Sequence, residues 1–361
     1  MIGRSQREAV FTGTLFTLLI AYTGLTLWLS EVGMSDYLTL LATYLCLIAP
    51  VWILVALIAL ALLFHRRNSH AERTSLRALV LIEIELRRQR DGFLSFLSPP
   101  LIFALLLATF NLFKQRVLPQ AGFGLDPALA GLDRMLFAGI DPWRITHAVL
   151  PSPWITFVLD SLYHGWFLPM SVGVMLCSFL PATADALRYR YLISFFAVWI
   201  LLGSGLAALL PAAGPCFQPT AIGLAPGFEP LFARLQGQQN WISSEWPMAG
   251  LSALEFQHGL LELHDSRGAL AIGGGISAMP SLHNALAALF AMAAFQIDRR
   301  AGWVMTIYAA LIWIGSIHLG WHYAVDGPVA VAATAAIWWA SGRVVTALIA
   351  DGSERAEMAH C

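Results

Sequence analysis

Two short stretches of this sequence combine residue types that can hold and transfer a phosphoryl group. In the first, Gly273-Gly-Gly275 leads into Ser277-Ala-Met-Pro280-Ser281-Leu-His283-Asn284. This has the make-up of a helix start. Proline fits the first helical position, and the first-turn N–H groups then face outward at the positive end of the helix dipole. Such an end binds anions. Ser281 adds a hydroxyl and His283 an imidazole in the same turn, so a phosphate can be held and its leaving oxygen protonated in one place. The second stretch is Ser316-Ile-His318-Leu-Gly320-Trp-His322-Tyr-Ala-Val-Asp326-Gly-Pro328. His322 and Asp326 stand at i and i+4. On a helix that spacing sets the carboxylate over the ring, where it accepts from Nδ1–H and leaves Nε2 free to attack. An imidazole held this way is a competent nucleophile toward phosphorus. Pro328 suits a first turn, which puts this pair at a helix end as well.

Other polar groups surround these two stretches in the sequence. Lys114 is the only lysine of the chain, and with Arg116 it follows an apolar run, where a cation reaches a headgroup phosphate. Asp160 and His164, beside Tyr163, have the same i, i+4 spacing; they either line a headgroup pocket or make a hydrogen bond between packed helices. His318 is a further candidate for a phosphate oxygen. Together with His322 and Asp326 it also forms a possible zinc-type set. No HExxH motif is present and the Pro-Ser helix start favours an anion, so the reading carries no metal and no cofactor. The four cysteines, Cys46, Cys177, Cys216 and Cys361, are scattered without a CxxC pair, which argues against a disulfide framework or a zinc site. Gly214-Pro215-Cys216-Phe217 reads as a turn.

The elements that must position these groups follow from composition. Of 361 residues, 58% are hydrophobic and 12% charged, too few polar groups to cover a water-soluble globule of this size. A bilayer must cover the rest. A helix needs roughly 20 mainly apolar residues to cross the hydrocarbon with its backbone satisfied. Segments near Val10 to Leu29, Leu38 to Phe64, Phe96 to Phe113, Ile155 to Leu180, Tyr191 to Leu210, Ser281 to Phe295, Trp303 to Leu319 and Ala324 to Leu348 are the expected spans. The fold class is therefore all-α, a polytopic transmembrane bundle of about eight helices. Arg4 and Arg7 flank the first segment as in a signal peptide, but no small-residue cleavage site precedes Glu31, so it is kept as a span.

Placing both termini in the cytoplasm puts 15 of the 21 lysines and arginines inside, the asymmetry that sets topology. The six left outside are Lys114, Arg116, Arg134, Arg144, Arg234 and Arg267. Both chemical stretches then reach the outer surface of a cell membrane, plasma or inner. The segment from Ala71 to Arg90 mixes leucines and isoleucines with clustered arginines and reads as an interfacial cytoplasmic helix. Two long outer loops run from Lys114 to Pro153 and from Pro211 to Pro280; the second is rich in Trp, Phe, Pro and Gly, a composition suited to the lipid interface. A net charge of −1 gives no basic surface for nucleic acid. No internal repeat or low-complexity tract is visible.

The PSxH at Pro280 to His283 followed by HxxxD at His322 to Asp326 resembles the type 2 phosphatidic acid phosphatase and haloperoxidase superfamily. The resemblance implies a six-helix phosphatase-like core over 93–350, an N-terminal addition of two spans and the interfacial helix over 1–92, and a cytoplasmic tail at 351–361. It also implies roles: His322 as the phosphohistidine, Asp326 orienting it, His283 protonating the leaving group, and Ser281 binding a phosphate oxygen. The chain departs from the phosphatase branch in two places. That branch has an Arg six residues before the nucleophilic His, where this chain has Ser316, and a Lys followed seven residues on by Arg-Pro, where Ala121 follows Lys114. Loss of both arginines with SxMPSLH and HYxxD kept is similar to the sphingolipid-synthase and inositolphosphotransferase branch. The substrate implied is a lipid phosphate or a phospholipid headgroup. Alternatives are a plain lipid phosphate or polyprenyl (di)phosphate phosphatase, a transporter or flippase, for which inverted repeats are lacking, and a regulatory protein with a dead site. A shared site requires His283 and His322 to flank one phosphate, within roughly 10 Å of each other.

Overall fold

Long apolar segments can satisfy their backbone in lipid only as helices or closed barrels, and the described part of this chain contains helices and no strand. A computed structural model describes residues 4–68, 94–179, 184–217, 227–266 and 270–358. The helix expected over Ala71 to Arg90 lies outside them, as do Arg267 and Cys361. In chain order the helices are α1 (Arg4–Ser30), α2 (Met34–Asn68), α3 (Leu94–Arg116), α4 (Asp126–Leu136), α5 (Pro142–Val149), α6 (Pro153–His164), α7 (Phe167–Leu176), α8 (Asp185–Ala197, continued as a π-helix over Val198–Leu206), α9 (Glu229–Glu245), α10 (Ser252–Ser266), α11 (Leu282–Phe295), α12 (Arg299–His318) and α13 (Asp326–Met358).

Six helices among the described residues are long and apolar enough to cross a membrane: Gln6–Ser30, Met34–Ala61, Phe96–Ala121, Asp185–Leu209, Arg299–His318 and Asp326–Leu348. The chain is a multi-pass helical membrane bundle. Two of the eight expected spans differ in detail. The segment expected from Ile155 to Leu180 is two helices, because the chain turns at Gly165. The Gly165 N–H bonds to the Ser161 carbonyl at 2.9 Å, and a Cβ at Gly165 would sit 2.8 Å from that oxygen. Pro169 soon after supplies no N–H donor. The span expected from Ser281 is α11, only 14 residues long. It is closed by Gln296, and Asp298 caps α12 with bonds to the N–H groups of Arg300 and Ala301 at 2.8 and 3.1 Å.

The two long segments read from the sequence as outer loops contain helices among their described residues. They hold α4 and α5 in one and α9 and α10 in the other. In α4, Asp126, Leu129, Ala130 and Asp133 are buried at helical spacing, so one face of a short amphipathic helix turns inward.

The contacts divide the chain into two units, 1–109 with 170–192 and 341–361, and 110–169 with 193–340. In the first, Glu8 of α1 accepts two bonds from the Arg188 guanidinium of α8 at 2.6 and 2.7 Å and one from the Tyr189 hydroxyl at 2.9 Å. All three side chains are buried. An ion pair survives burial when its lone pairs and protons are used in this way. In the second unit, Leu231, Leu235 and Ile242 of α9 share a core with Tyr163 of α6 and Ile312 and Ile317 of α12. Gly203 lets α8 approach closely: a Cβ there would stand 2.7 Å from Phe110 and 3.0 Å from Leu282. Every candidate site residue named above lies in this second unit.

Candidate active site

His322 sits in the turn between α12 and α13, not on a helix. Gly320 closes α12 at φ 75°, a left-handed position suited to glycine. The N–H groups of Trp321 and His322 then both bond to the Ser316 carbonyl, at 2.9 and 3.1 Å. Asp326 opens α13, and its Oδ2 accepts from His322 Nδ1 at 3.1 Å and from the Tyr323 N–H at 3.2 Å. The expected pairing is therefore present, made by a turn that folds the ring back onto a helix start. With Nδ1–H given to the carboxylate, Nε2 carries the available lone pair. His322 and Asp326 are both buried, and Asp326 Oδ1 has no partner.

Two carboxylates of α4 hold this turn. Asp133 accepts from the N–H groups of Ala324 at 2.7 Å and Val325 at 3.0 Å. Asp126 accepts from the Tyr323 hydroxyl and from the N–H groups of Ala213 and Gly214, each at 2.8 Å. Burial raises the Asp133 carboxyl above its ordinary range; the two N–H donors act against that, and Asp141 adds to it. Sequence reasoning missed both residues. Their signal was there, two acids seven apart on an apolar face of helical period in what read as a loop.

The Pro280-Ser281 stretch starts a helix, with one correction. Ser281 is the N-cap and Pro280 precedes it, so proline is not the first helical residue. The Ser281 Oγ accepts from the N–H of Asn284 at 3.4 Å and from its side-chain amide at 2.9 Å. Its own hydroxyl proton is used by neither. His283 follows in the first turn and stacks on Tyr163 at 4.2 Å and 14°, with Trp166 against it at 4.2 Å. The His283 and His322 rings lie 6.4 Å apart, so the two stretches meet, within the roughly 10 Å that a shared site requires. The glycines before Pro280 pack against the end of α3. Cβ atoms at Gly274 and Gly275 would fall 2.5 Å from Gln115 and 2.6 Å from the Lys114 carbonyl, while Gln115 and Asn111 both donate to the Ala271 carbonyl at 2.8 Å. Lys114 is thereby brought close enough to act electrostatically on His283, as are His164 and His322.

The remaining sequence candidates separate. Asp160 is buried and caps α10, accepting from Ser252 and Ala253 N–H at 2.7 and 3.0 Å, and it pairs with His164 Nδ1 at 3.0 Å. It therefore has a structural bond and is no open headgroup contact. His318 belongs to another cluster. Its ring nitrogens meet the hydroxyls of Thr156 at 2.8 Å and Thr146 at 3.2 Å, and it stacks on His147 at 3.6 Å. That leaves it no nitrogen for a phosphate or for a metal shared with His322 and Asp326, and no group of three potential ligands of that kind occurs among the described residues. Arg116 lines a cavity of about 620 Å³ with Gln115, Gln120, Phe123 and His264. Of the other arginines that the sequence reading places outside, Arg134 and Arg144 flank Asp141, and Arg234 donates to His147.

The sequence profile of the PAP2 superfamily matches residues 127–340. The chain belongs to the PAP2 superfamily. The match spans α4 to the middle of α13, with His283, His322 and Asp326 inside it and Lys114 outside. Membership supports a phosphatase- or phosphotransferase-type activity on lipid-related substrates. Neither the curated proteins nor the solved structures contain a match to the chain.

Proposed function

We propose that this PAP2 protein passes a phosphoryl-bearing group from a lipid phosphate or phosphodiester headgroup to an acceptor hydroxyl, through a phosphohistidine on His322. The observation that carries this reading is the His322–Asp326 bond at 3.1 Å with the His283 ring 6.4 Å away. In the first step the Nε2 lone pair bonds to phosphorus as the bond to the leaving oxygen breaks. Protonated His283 gives its proton to that oxygen, and Asp326 offsets the charge gained by the His322 ring. In the second step the acceptor hydroxyl gives its proton to the now neutral His283, its oxygen bonds to phosphorus, and the P–N bond breaks. His322 returns to its starting form. The Ser281 hydroxyl, the first-turn N–H groups of α11 and the Lys114 charge offer contacts for the phosphate oxygens.

The acceptor we favour is a hydroxyl of a second lipid or of a headgroup polyol, as in inositolphosphate-type transfer, over water. Support comes from position 316. Where the phosphatase branch carries arginine, Ser316 is buried and spends its hydroxyl on the Trp313 carbonyl at 2.7 Å. The arginine asymmetry of the sequence supports an extracytoplasmic site in the plasma or inner membrane. Purified protein given phosphatidylinositol and a lipid alcohol tests the reading. The expected product is a new phosphodiester lipid, lost in His322→Ala. Free phosphate alone would make the enzyme a hydrolase, and absence of both products from folded protein would overturn the phosphoryl-transfer reading.

A further inference from the structure

Phosphoryl transfer spreads negative charge over the equatorial oxygens and needs positive groups around them. This chain has Ser316 where the phosphatase branch carries arginine, and three of the six cations that the sequence reading places outside are engaged elsewhere: Arg134 and Arg144 at Asp141, Arg234 at His147. One built group near His283 has no task yet. His164 ends α6 with its Nδ1 at 3.0 Å from Asp160 Oδ1. Asp160, 1% exposed, is itself pinned by the Ser252 and Ala253 N–H groups at the start of α10. The ring is held on Phe256 at 5.1 Å and 15°, with Tyr163 at 5.5 Å and Trp321 at 5.9 Å. Its Nε2 is buried and has no partner, and neither has the Trp321 Nε1 beside it. Buried polar atoms are rarely left unpaired. Two of them in one wall, next to His283 and adjoining His322 in sequence, mark a place for an oxygen-rich ligand.

We propose that His164, oriented by Asp160, is a third imidazole of the reaction site and donates from Nε2 to a phosphate oxygen as an imidazolium. The inference rests on the phosphoryl-transfer reading. The buried Asp160 carboxylate lies against the His164 Nδ1 as Asp326 lies against that of His322, and the ring takes over part of the role of an arginine. The ionisable groups that act with it on His283 of α11 are His322, bonded to Asp326 at the α12–α13 turn, and Lys114 on α3. The face given by α10 is apolar, from Phe256.

His164→Ala leaves an imidazole-sized space against Phe256, Tyr163 and Trp321, so free imidazole can refill it. Turnover in the lipid assay should fall about a hundredfold, the scale for loss of one oxyanion donor. Millimolar imidazole should restore at least about tenfold of that loss, with unfolding temperature near wild type. A variant at wild-type rate, or a loss that imidazole leaves unchanged, overturns the assignment. Where the variant does not fold, ¹⁵N-histidine-labelled wild-type protein titrated with inorganic phosphate decides. A shift of one further Nε2 signal toward imidazolium, besides those of His283 and His322, supports the proposal; only those two responding overturns it. A wild-type chain without turnover or phosphohistidine overturns both readings, whereas active wild type with an indifferent His164→Ala removes this one alone.

Discussion

Asp133→Asn tests whether the turn that carries His322 is held from α4. The carboxylate accepts from Ala324 N–H at 2.7 Å through one oxygen and from Val325 N–H at 3.0 Å through the other. Asparagine keeps one acceptor and sets an amide NH₂ against the second N–H. The change removes a bond to a charged acceptor, about 1.5–3 kcal/mol, and leaves a buried donor without a partner, about 1–3 kcal/mol. These costs overlap, so roughly 2–4 kcal/mol is expected against the held turn. At about 1.4 kcal/mol per tenfold, that shifts the balance of held to released turn by about 30- to 1000-fold. Turnover should fall at least tenfold, with a smaller change in KM, because the nucleophile is misplaced while the substrate contacts stay. Tyr323→Phe is the graded control: it removes one of the bonds to the Asp126 carboxylate, 2.8 Å long, about 1.5 kcal/mol and a smaller loss than in Asp133→Asn, since no buried backbone donor is left unpaired. Steady-state rates with a saturating lipid donor, beside thermal unfolding, measure both. An Asp133→Asn enzyme with wild-type kcat would refute the claim that these N–H bonds position His322.

Three further outcomes are expected. Lys114→Ala should lose activity strongly and Lys114→Arg recover only part, since a planar fork does not replace a point charge; an Ala variant at wild-type rate would remove Lys114 from the site. Glu8→Gln breaks the buried pair with Arg188 and should cost about 3–5 kcal/mol, seen as a lowered unfolding temperature, with Arg188→Met added to it restoring part; an unshifted temperature contradicts the pairing. Burial holds His147 down to about 4, against the bond from its Nε2 to the His318 carbonyl, with Arg234 lowering it further. Because the unfolded chain takes up that proton near pH 6.5, stability is full above that pH and is lost as pH falls toward 4, by up to about 3 kcal/mol. The unfolding temperature of wild type should therefore drop more steeply over this range than that of His147→Gln; equal slopes would discount the cluster.

The helical membrane class was legible because a bilayer imposes length and composition on each segment, and those survive in any reading order. The His–Asp and Pro-Ser-His stretches were legible because their chemistry is local. What escaped was tertiary. The i, i+4 spacing of His322 and Asp326 says helix, but Gly320 folds the ring back from a turn, and only the bonds to the Ser316 carbonyl reveal that. His318, four residues from His322, faces Thr146 and Thr156 because it still belongs to the last turn of α12. Asp126 and Asp133 lay in a segment taken for loop, and the backbone N–H groups of Ala213 and Ala324 that they bind are 87 and 191 residues away, which no local pattern encodes.

The central claim is that phosphorus becomes bonded to His322 and that His283 moves the proton in both steps. A donor with a good leaving group can phosphorylate His283→Ala without an acid, but the second step then lacks its base, so the intermediate should accumulate. Rapid quenching of that variant with such a donor, followed by peptide mapping under alkaline conditions, is the most direct test. The account predicts phosphate on His322 in His283→Ala and none in His322→Ala. Phosphate on another residue, or turnover by His322→Ala near the wild-type rate, would contradict it.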